Sequence, residues 1–103
     1  MEFDWDDKKN ATNVRTRQLA FALAKFLFRG DTLEEIDARH DYGEQRVRAH
    51  GRVKGRLLVC VYTDRQISGR PVRWIISLRK ANKREVRRYD EWIETENCEK
   101  GRT

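Results

Sequence analysis

The sequence predicts an α+β protein: an antiparallel β-meander of three to four strands, with two N-terminal helices and one C-terminal helix. Three observations carry this reading. Residues 44–53 and 72–78 alternate apolar and polar side chains, residues 56–63 are continuously apolar in their middle, and residues 82–93 switch to helical spacing. A chain of 103 residues has room for one small core. The expected organisation is a single domain over 1–93 and a flexible polar tail over 94–103 that lacks periodicity. Three Trp, three Tyr and four Phe exclude a solvated disordered chain, even with 39% charged residues.

Phe3 and Trp5 alternate with acids in a short extended opening. Asp4 or Asp6 can then cap a surface helix running through Lys9, Asn13 and Arg17. Residues 19–28 carry two helical stripes: Ala20, Phe21, Ala24, Leu27 and Phe28 on one face, Leu19, Ala22, Leu23 and Phe26 on another. A helix apolar on two faces is buried on both or offers one to a partner. In so small a domain the partner is favoured, which makes Leu19, Leu23 and Phe26 the expected interface. Residues 32–43 have only Leu33 and Ile36 as large aliphatics and read as a loop with a short strand or helical turn.

From residue 44 the pattern is β. Val47, Ala49, Gly51 and Val53 face one way and Arg46, Arg48, His50 and Arg52 the other. Lys54-Gly55 supplies a hairpin turn, and 56–63 has the composition of a central strand covered on both faces. Residues 64–71, with Gly69 and the single proline, form a second turn. In the last strand Val72, Trp74, Ile76 and Leu78 are expected on the buried face, against Arg73, Ile75, Ser77 and Arg79. Asn82 and Glu85 have the spacing of a capping box, after which Val86, Tyr89 and Ile93 recur at helical intervals.

Charge narrows the choice of partner. Twenty-three Lys and Arg stand against 17 Asp and Glu, a net charge of +6. Arg79, Lys80, Lys83, Arg84, Arg87 and Arg88 crowd the junction of the last strand and helix, with Glu85 the one acid among them. A polyanion would relieve that repulsion; a solvated basic surface is the alternative. Cys60 lies in an apolar run and Cys98 in a polar one, a spacing that suggests neither metal site nor disulfide framework, so no metal or cofactor is expected. Free cysteines fit a reducing cytoplasm. No apolar stretch approaches the ~20 residues of a membrane span, and the acidic N-terminus is unlike a signal peptide.

The order of motifs carries a resemblance. Phe3-x-Trp5-Asp6-x-x-Lys9-x-x-x-Asn13 is followed by Phe21-x-x-Ala24-x-x-x-Phe28, Glu44-x-Arg46, Gly51-Arg52 and Gly55-Arg56-Leu57-Leu58-Val59-x-Val61-Tyr62-Thr63. Arg73-x-Ile75-Ile76-Ser77-x-Arg79-Lys80-Ala81 and Arg84-Glu85-x-x-x-Tyr89 complete the set. From about Phe3 to Trp92 this resembles the BrnT family of bacterial toxins. The resemblance implies a fold similar to the RelE group, ribonuclease activity on RNA, and neutralisation by a ribbon-helix-helix antitoxin of the BrnA kind. It also implies contact with operator DNA only through that antitoxin, in a higher-order complex with an antitoxin dimer. Where such proteins usually carry Lys-His-Gly, this chain has Thr16-Arg17-Gln18, and Arg48 and His50 stand at strand positions that are commonly apolar.

Metal-free RNA cleavage needs a base near the 2′-hydroxyl, cations around the phosphate, and a proton for the departing 5′-oxygen. Arg46, Arg52, Arg79, Lys80 and Glu44 are the catalytic candidates, acting chiefly by positioning and charge stabilisation. Arg84, Arg87, Arg88 and Tyr89 are the nucleic-acid-binding candidates, although the arginines also fit a solvated helix face and Tyr89 a core position. Glu85 reads first as the cap and second as a general base. His50 reads as a structural strand histidine, with His40 in the polar loop. The rival readings are a non-catalytic nucleic-acid-binding module and an inactive toxin relative working only within an antitoxin complex.

Overall fold

A computed structural model describes residues 1–39 and 43–100 of the chain. In chain order the elements are β1 (Glu2–Trp5), α1 (Asp7–Arg17), a 3-10 turn (Phe21–Leu23), α2 (Ala24–Leu27), β2 (Leu33–Asp37), β3 (Arg46–Val53), β4 (Arg56–Ile67), β5 (Arg70–Lys80) and α3 (Lys83–Lys100). The strands form one sheet in the order β1-β5-β4-β3-β2. β2 to β5 are a continuous antiparallel meander, and β1 joins β5 in parallel. The class is therefore α+β, but with five strands in a mixed sheet where three to four antiparallel strands were expected. The two additional strands, Glu-Phe-Asp-Trp and Leu-Glu-Glu-Ile-Asp, lie at the edges, where charged positions interrupt the β signal and pairing supplies what propensity does not.

Both long hairpins close through two-residue turns. Lys54 and Gly55 have φ of 52° and 81°, and Ser68 and Gly69 have 52° and 77°, the paired positive values of a type I′ turn. β4 consequently runs to Ile67 and β5 starts at Arg70, so most of 64–71 is strand. The pairing of β4 with β5 shifts register between Val61 and Tyr62: Val61 faces Ser77, Tyr62 faces Ile75, and Ile76 is the extra residue. A bulge resets side-chain alternation. It puts Ile75 in the core beside Leu78, while Trp74 and Ile76, expected there, are only half-buried.

The core fills one face of the sheet. Leu19, Phe21, Ala24 and Leu27 pack onto Ala49, Leu58, Cys60, Tyr62, Ile75 and Leu78, with Phe3 and Trp5 of β1 at the margin. Cys60 is buried and Cys98 exposed, as expected. The second helix is shorter than its two stripes suggested, because a 3-10 turn precedes a single α turn. That local twist turns Leu19 into the core, at 1% exposure, and packs Leu23 partly against it. Leu19 is therefore buried in this fold, and of the expected interface stripe Phe26, half-exposed, is the residue on the surface.

α1 is held by its polar side chains. Asp6 caps it by accepting from the Lys9 N–H at 3.0 Å. β1 pairs with only the first part of the free edge of β5, and α1 covers the later part near Leu78. There, buried Asn13 donates from Nδ2 to the Leu78 carbonyl at 2.9 Å and to the Leu19 carbonyl at 2.8 Å. Asn10 Oδ1 accepts from the Phe21 N–H at 2.8 Å. At the other end, Asn82 N–H donates to Glu85 and Glu85 N–H to Asn82 Oδ1, at 2.9 and 2.8 Å, which completes the predicted capping box. α3 then continues to Lys100, so the segment expected to fray from residue 94 is helical through that residue; Thr95 Oγ1 donates to the Glu91 carbonyl one turn back. His40 and residues 101–103 lie outside the described residues.

Candidate nucleic-acid interface

The register of β3 sends Ala49, Gly51 and Val53 into the core and Arg46, Arg48, His50 and Arg52 to the opposite face. Across the sheet this face continues through Val59, Val61, Thr63 and Arg65 of β4 and through Trp74, Ser77 and Arg79 of β5. α3 begins beside Arg79, and beneath the arginines Leu57, Val59, Thr63 and Val72 of this face are buried. Four arginines of this surface, Arg46, Arg48, Arg65 and Arg79, are each partly exposed.

At the α3 end the capping residue Glu85 has a second task. Its carboxylate receives both terminal nitrogens of Arg79, at 2.8 and 2.9 Å, a bidentate clamp that fixes the guanidinium plane. The Arg79 hydrogen bonds, reinforced by the Asn82 N–H, pull the Glu85 carboxyl down to about 2, so it is ionised throughout the physiological range. His50 is 1% exposed, with Nδ1 3.1 Å from the Leu33 carbonyl. That acceptor places a hydrogen on Nδ1. Nε2 lies 3.5 Å from Glu85 Oε2 and 3.5 Å from an Arg88 nitrogen, and Arg88 is itself bound to Glu35. Tyr89 is buried over this junction and donates its hydroxyl to the Asp31 carbonyl at 2.8 Å.

At the other end of the face Glu44 repeats the pattern. It accepts from Arg65 at 2.9 and 3.2 Å, and this contact holds its carboxyl below the usual range. The same guanidinium lies 4.9 Å from the Trp74 ring centre, a cation–π contact. Thr63 anchors the approach to β3 by donating to the Gln45 carbonyl at 2.8 Å. Between the two clusters the register aligns Arg48, Val61 and Ser77. The Arg48 side chain is 25% exposed, its nearest carboxylate contact is 3.9 Å to Glu35, and its Nε is buried without a hydrogen-bond partner among the described residues. Glu85 and Glu44 are occupied in orienting Arg79 and Arg65, and Arg48 stands between those two pairs with no carboxylate closer than 3.9 Å.

The five catalytic candidates do not converge. Arg79 lies at the α3 end together with Arg52, which binds Asp90 at 2.7 Å and the Gly55 carbonyl at 3.1 Å. Arg46 and Glu44 lie at the other end of β3; six residues of strand separate Arg46 from Arg52, roughly 20 Å at the usual strand rise. Lys80 pairs with Leu58 and so points to the core-side face, opposite Arg79. Arg84 and Arg87 are exposed, without ion pairs among the described residues. Arg88 and Tyr89 are spent on Glu35 and Asp31. Arg48, Arg65, Trp74 and Ser77 were not among the sequence candidates. The alternation in β3 was the signal for Arg48; Arg65 was hidden because its stretch reads as a turn.

Fold and surface together define a small α+β protein with a packed sheet face and, opposite it, a face on which partly exposed arginines lie over buried Val59, Thr63 and Val72. The family model described as ribonuclease toxin, BrnT, of type II toxin-antitoxin system matches residues 5–85, and the chain belongs to that family. No curated protein matches it.

Proposed function

We propose that this toxin is an endoribonuclease whose cleavage centre is the arginine-lined sheet face around Arg48, between the Arg79–Glu85 and Arg65–Glu44 pairs. The observation that carries the reading is the clamped geometry: carboxylates hold two guanidinium planes on either side of Arg48, a partly exposed cation whose nearest carboxylate is 3.9 Å away. Arg48 is the cation placed to favour the phosphorane-like state of the scissile phosphate, while the two clamped arginines, roughly 20 Å apart along the sheet, hold the phosphates on either side of it. The 2′-oxygen attacks phosphorus, its proton leaves to a base, the bond to the 5′-oxygen breaks, and that oxygen takes up a proton. The products are a 2′,3′-cyclic phosphate and a 5′-hydroxyl. Glu85, ionised and held by Arg79, is a weak proton acceptor, so positioning and charge supply most of the rate. Guanidinium charge stands where a metal would otherwise serve, and cleavage proceeds without one.

The Arg65 guanidinium held over Trp74 supports single-stranded substrate, since its plane is one on which an unpaired base can stack. Family membership supports the remaining assignments: a ribbon-helix-helix antitoxin of the BrnA kind as neutralising partner, operator DNA reached only through it in a complex with an antitoxin dimer, and the cytoplasm as site of action. No helix among the described residues is long and apolar enough to cross a membrane. The test is single-turnover cleavage of a labelled single-stranded RNA in EDTA. Arg48→Gln should slow it by roughly a hundredfold, the usual scale for one transition-state donor. RNA binding without cleavage would favour the non-catalytic module instead.

A further inference from the structure

Among the described residues, cavities lie on either side of α1 and α2. The larger, about 640 Å³, lies by β1 and α2; its cations Lys25, Arg29 and Arg73 are accompanied by Glu2 and Glu34, and Arg73 is already clamped by Asp64 at 2.9 and 3.1 Å. The smaller, about 370 Å³, lies between α1 and the far half of β5 and has a different character. Lys8, Lys9 and Arg17 line it, no carboxylate does, and none of these three cations forms an ion pair among the described residues. Lys9, Asn13 and Arg17 recur every four residues along one row of α1, and Lys8, Thr12 and Thr16 along the next. Arg17 is steered inward by the edge-capping residue, donating to Asn13 Oδ1 at 3.2 Å and to the Leu78 carbonyl at 3.4 Å.

The other wall comes from the β5 bulge. Ile76, the extra residue, takes its side chain out of the regular alternation and into the cavity lining, and Ser77 joins it there. Ser77 also stands in line with Val61 and Arg48, so the cavity shares one lining residue with the arginine-lined face. Two sheet spacings, about 10 Å, separate the strand of Arg48 from that of Ser77. A chain crossing the face at Arg48 therefore reaches the cavity within a short single-stranded run. Three cations suit a phosphate; the aliphatic surface of Ile76 suits the attached base or sugar.

We infer that the cavity between α1 and β5 is a second RNA subsite, in which Lys8, Lys9 and Arg17 hold a backbone phosphate of the strand whose cleaved bond lies at Arg48. This rests on the sheet face being the cleavage centre, and it assigns to α1 the task of holding substrate beside that centre. Occupying a remote subsite orients the reacting bond at no cost to the chemistry itself.

The test uses the full chain and a fluorescent 2′-O-methyl hexanucleotide, which has no attacking hydroxyl, titrated at several salt concentrations. The Lys8→Gln/Lys9→Gln variant changes two exposed side chains, so its melting temperature should stay that of the parent. It should bind about tenfold more weakly, and its plot of log affinity against log salt should be shallower by roughly 1.4, two phosphate contacts' worth on a single strand. Unchanged affinity and slope in this variant, with binding lost in Arg48→Gln, would overturn the subsite and leave the sheet-face reading standing. Failure of the parent protein to bind the oligonucleotide would overturn both. On the unsubstituted protein, adenosine 5′-monophosphate should shift the amide signals of Thr12 and Thr16; shifts confined to Arg48 and Val61 would also overturn the subsite.

Discussion

Single residues show how closely stability and surface are joined. Glu85 caps α3 through its contact with the Asn82 N–H and clamps Arg79 through the same carboxylate. Its carboxyl titrates at about 2 in the fold against an ordinary 4.5, so its contribution is complete above pH 4.5 and disappears as pH falls through about 2. Solvent screening limits that contribution to about 1–2 kcal/mol. Glu85→Gln should therefore unfold more readily at neutral pH and lose less stability between pH 5 and 2, as followed by denaturant unfolding across pH. Gly51 makes a steric demand of the same kind. A Cβ there would stand 2.9 Å from Leu27 Cγ and 3.2 Å from the Leu27 carbonyl oxygen, in a core where Leu27 has no exposed surface. Gly51→Ala should cost about 1–3 kcal/mol, and an unchanged urea midpoint would show that α2 can retreat.

At the scale of elements, what was readable in the sequence separates from what was not by the range of the contacts involved. The capping box at Asn82 and Glu85 and the hairpin turn at Lys54-Gly55 were legible because each depends on neighbours in sequence. β1 was legible only as an extended opening and β2 only as a strand or helical turn within a loop, because their place in the sheet comes from pairing with β5 and β3. The bulge at Ile76 was invisible to a period-two reading, which put Trp74 and Ile76 where Ile75 belongs. Asn13 illustrates the same limit: a polar residue on a polar helix gives no hint that it caps two buried carbonyls 65 and 6 residues away. Asn13→Ala leaves those carbonyls unsatisfied and should cost about 1–3 kcal/mol by thermal or denaturant unfolding. The short α2 splits the proposed interface in two. Leu23→Glu should destabilise the isolated protein, whereas Phe26→Lys should leave its melting temperature within about two degrees while weakening antitoxin binding, since of Leu19, Leu23 and Phe26 it is Phe26 that is exposed.

For the molecule as a whole, the division of the sheet into a packed face and an arginine-lined face was legible in β3 alone, from Ala49, Gly51 and Val53 alternating with Arg46, Arg48, His50 and Arg52. Which cations meet was not legible: the distance between Arg46 and Arg52, the opposite facing of Lys80, and the arrival of Arg65 beside Trp74 all depend on register. The central claim is that this arginine face cleaves RNA through the 2′-hydroxyl. Its most direct test is the chemistry of the ends produced from a defined single-stranded RNA in EDTA, read by mass spectrometry. Fragments ending in 2′,3′-cyclic phosphate and beginning with 5′-hydroxyl are expected, absent when the nucleotide at the cut carries a 2′-O-methyl group and strongly reduced with Arg48→Gln. Fragments beginning with 5′-phosphate, or a cut that survives 2′-O-methylation, would contradict it.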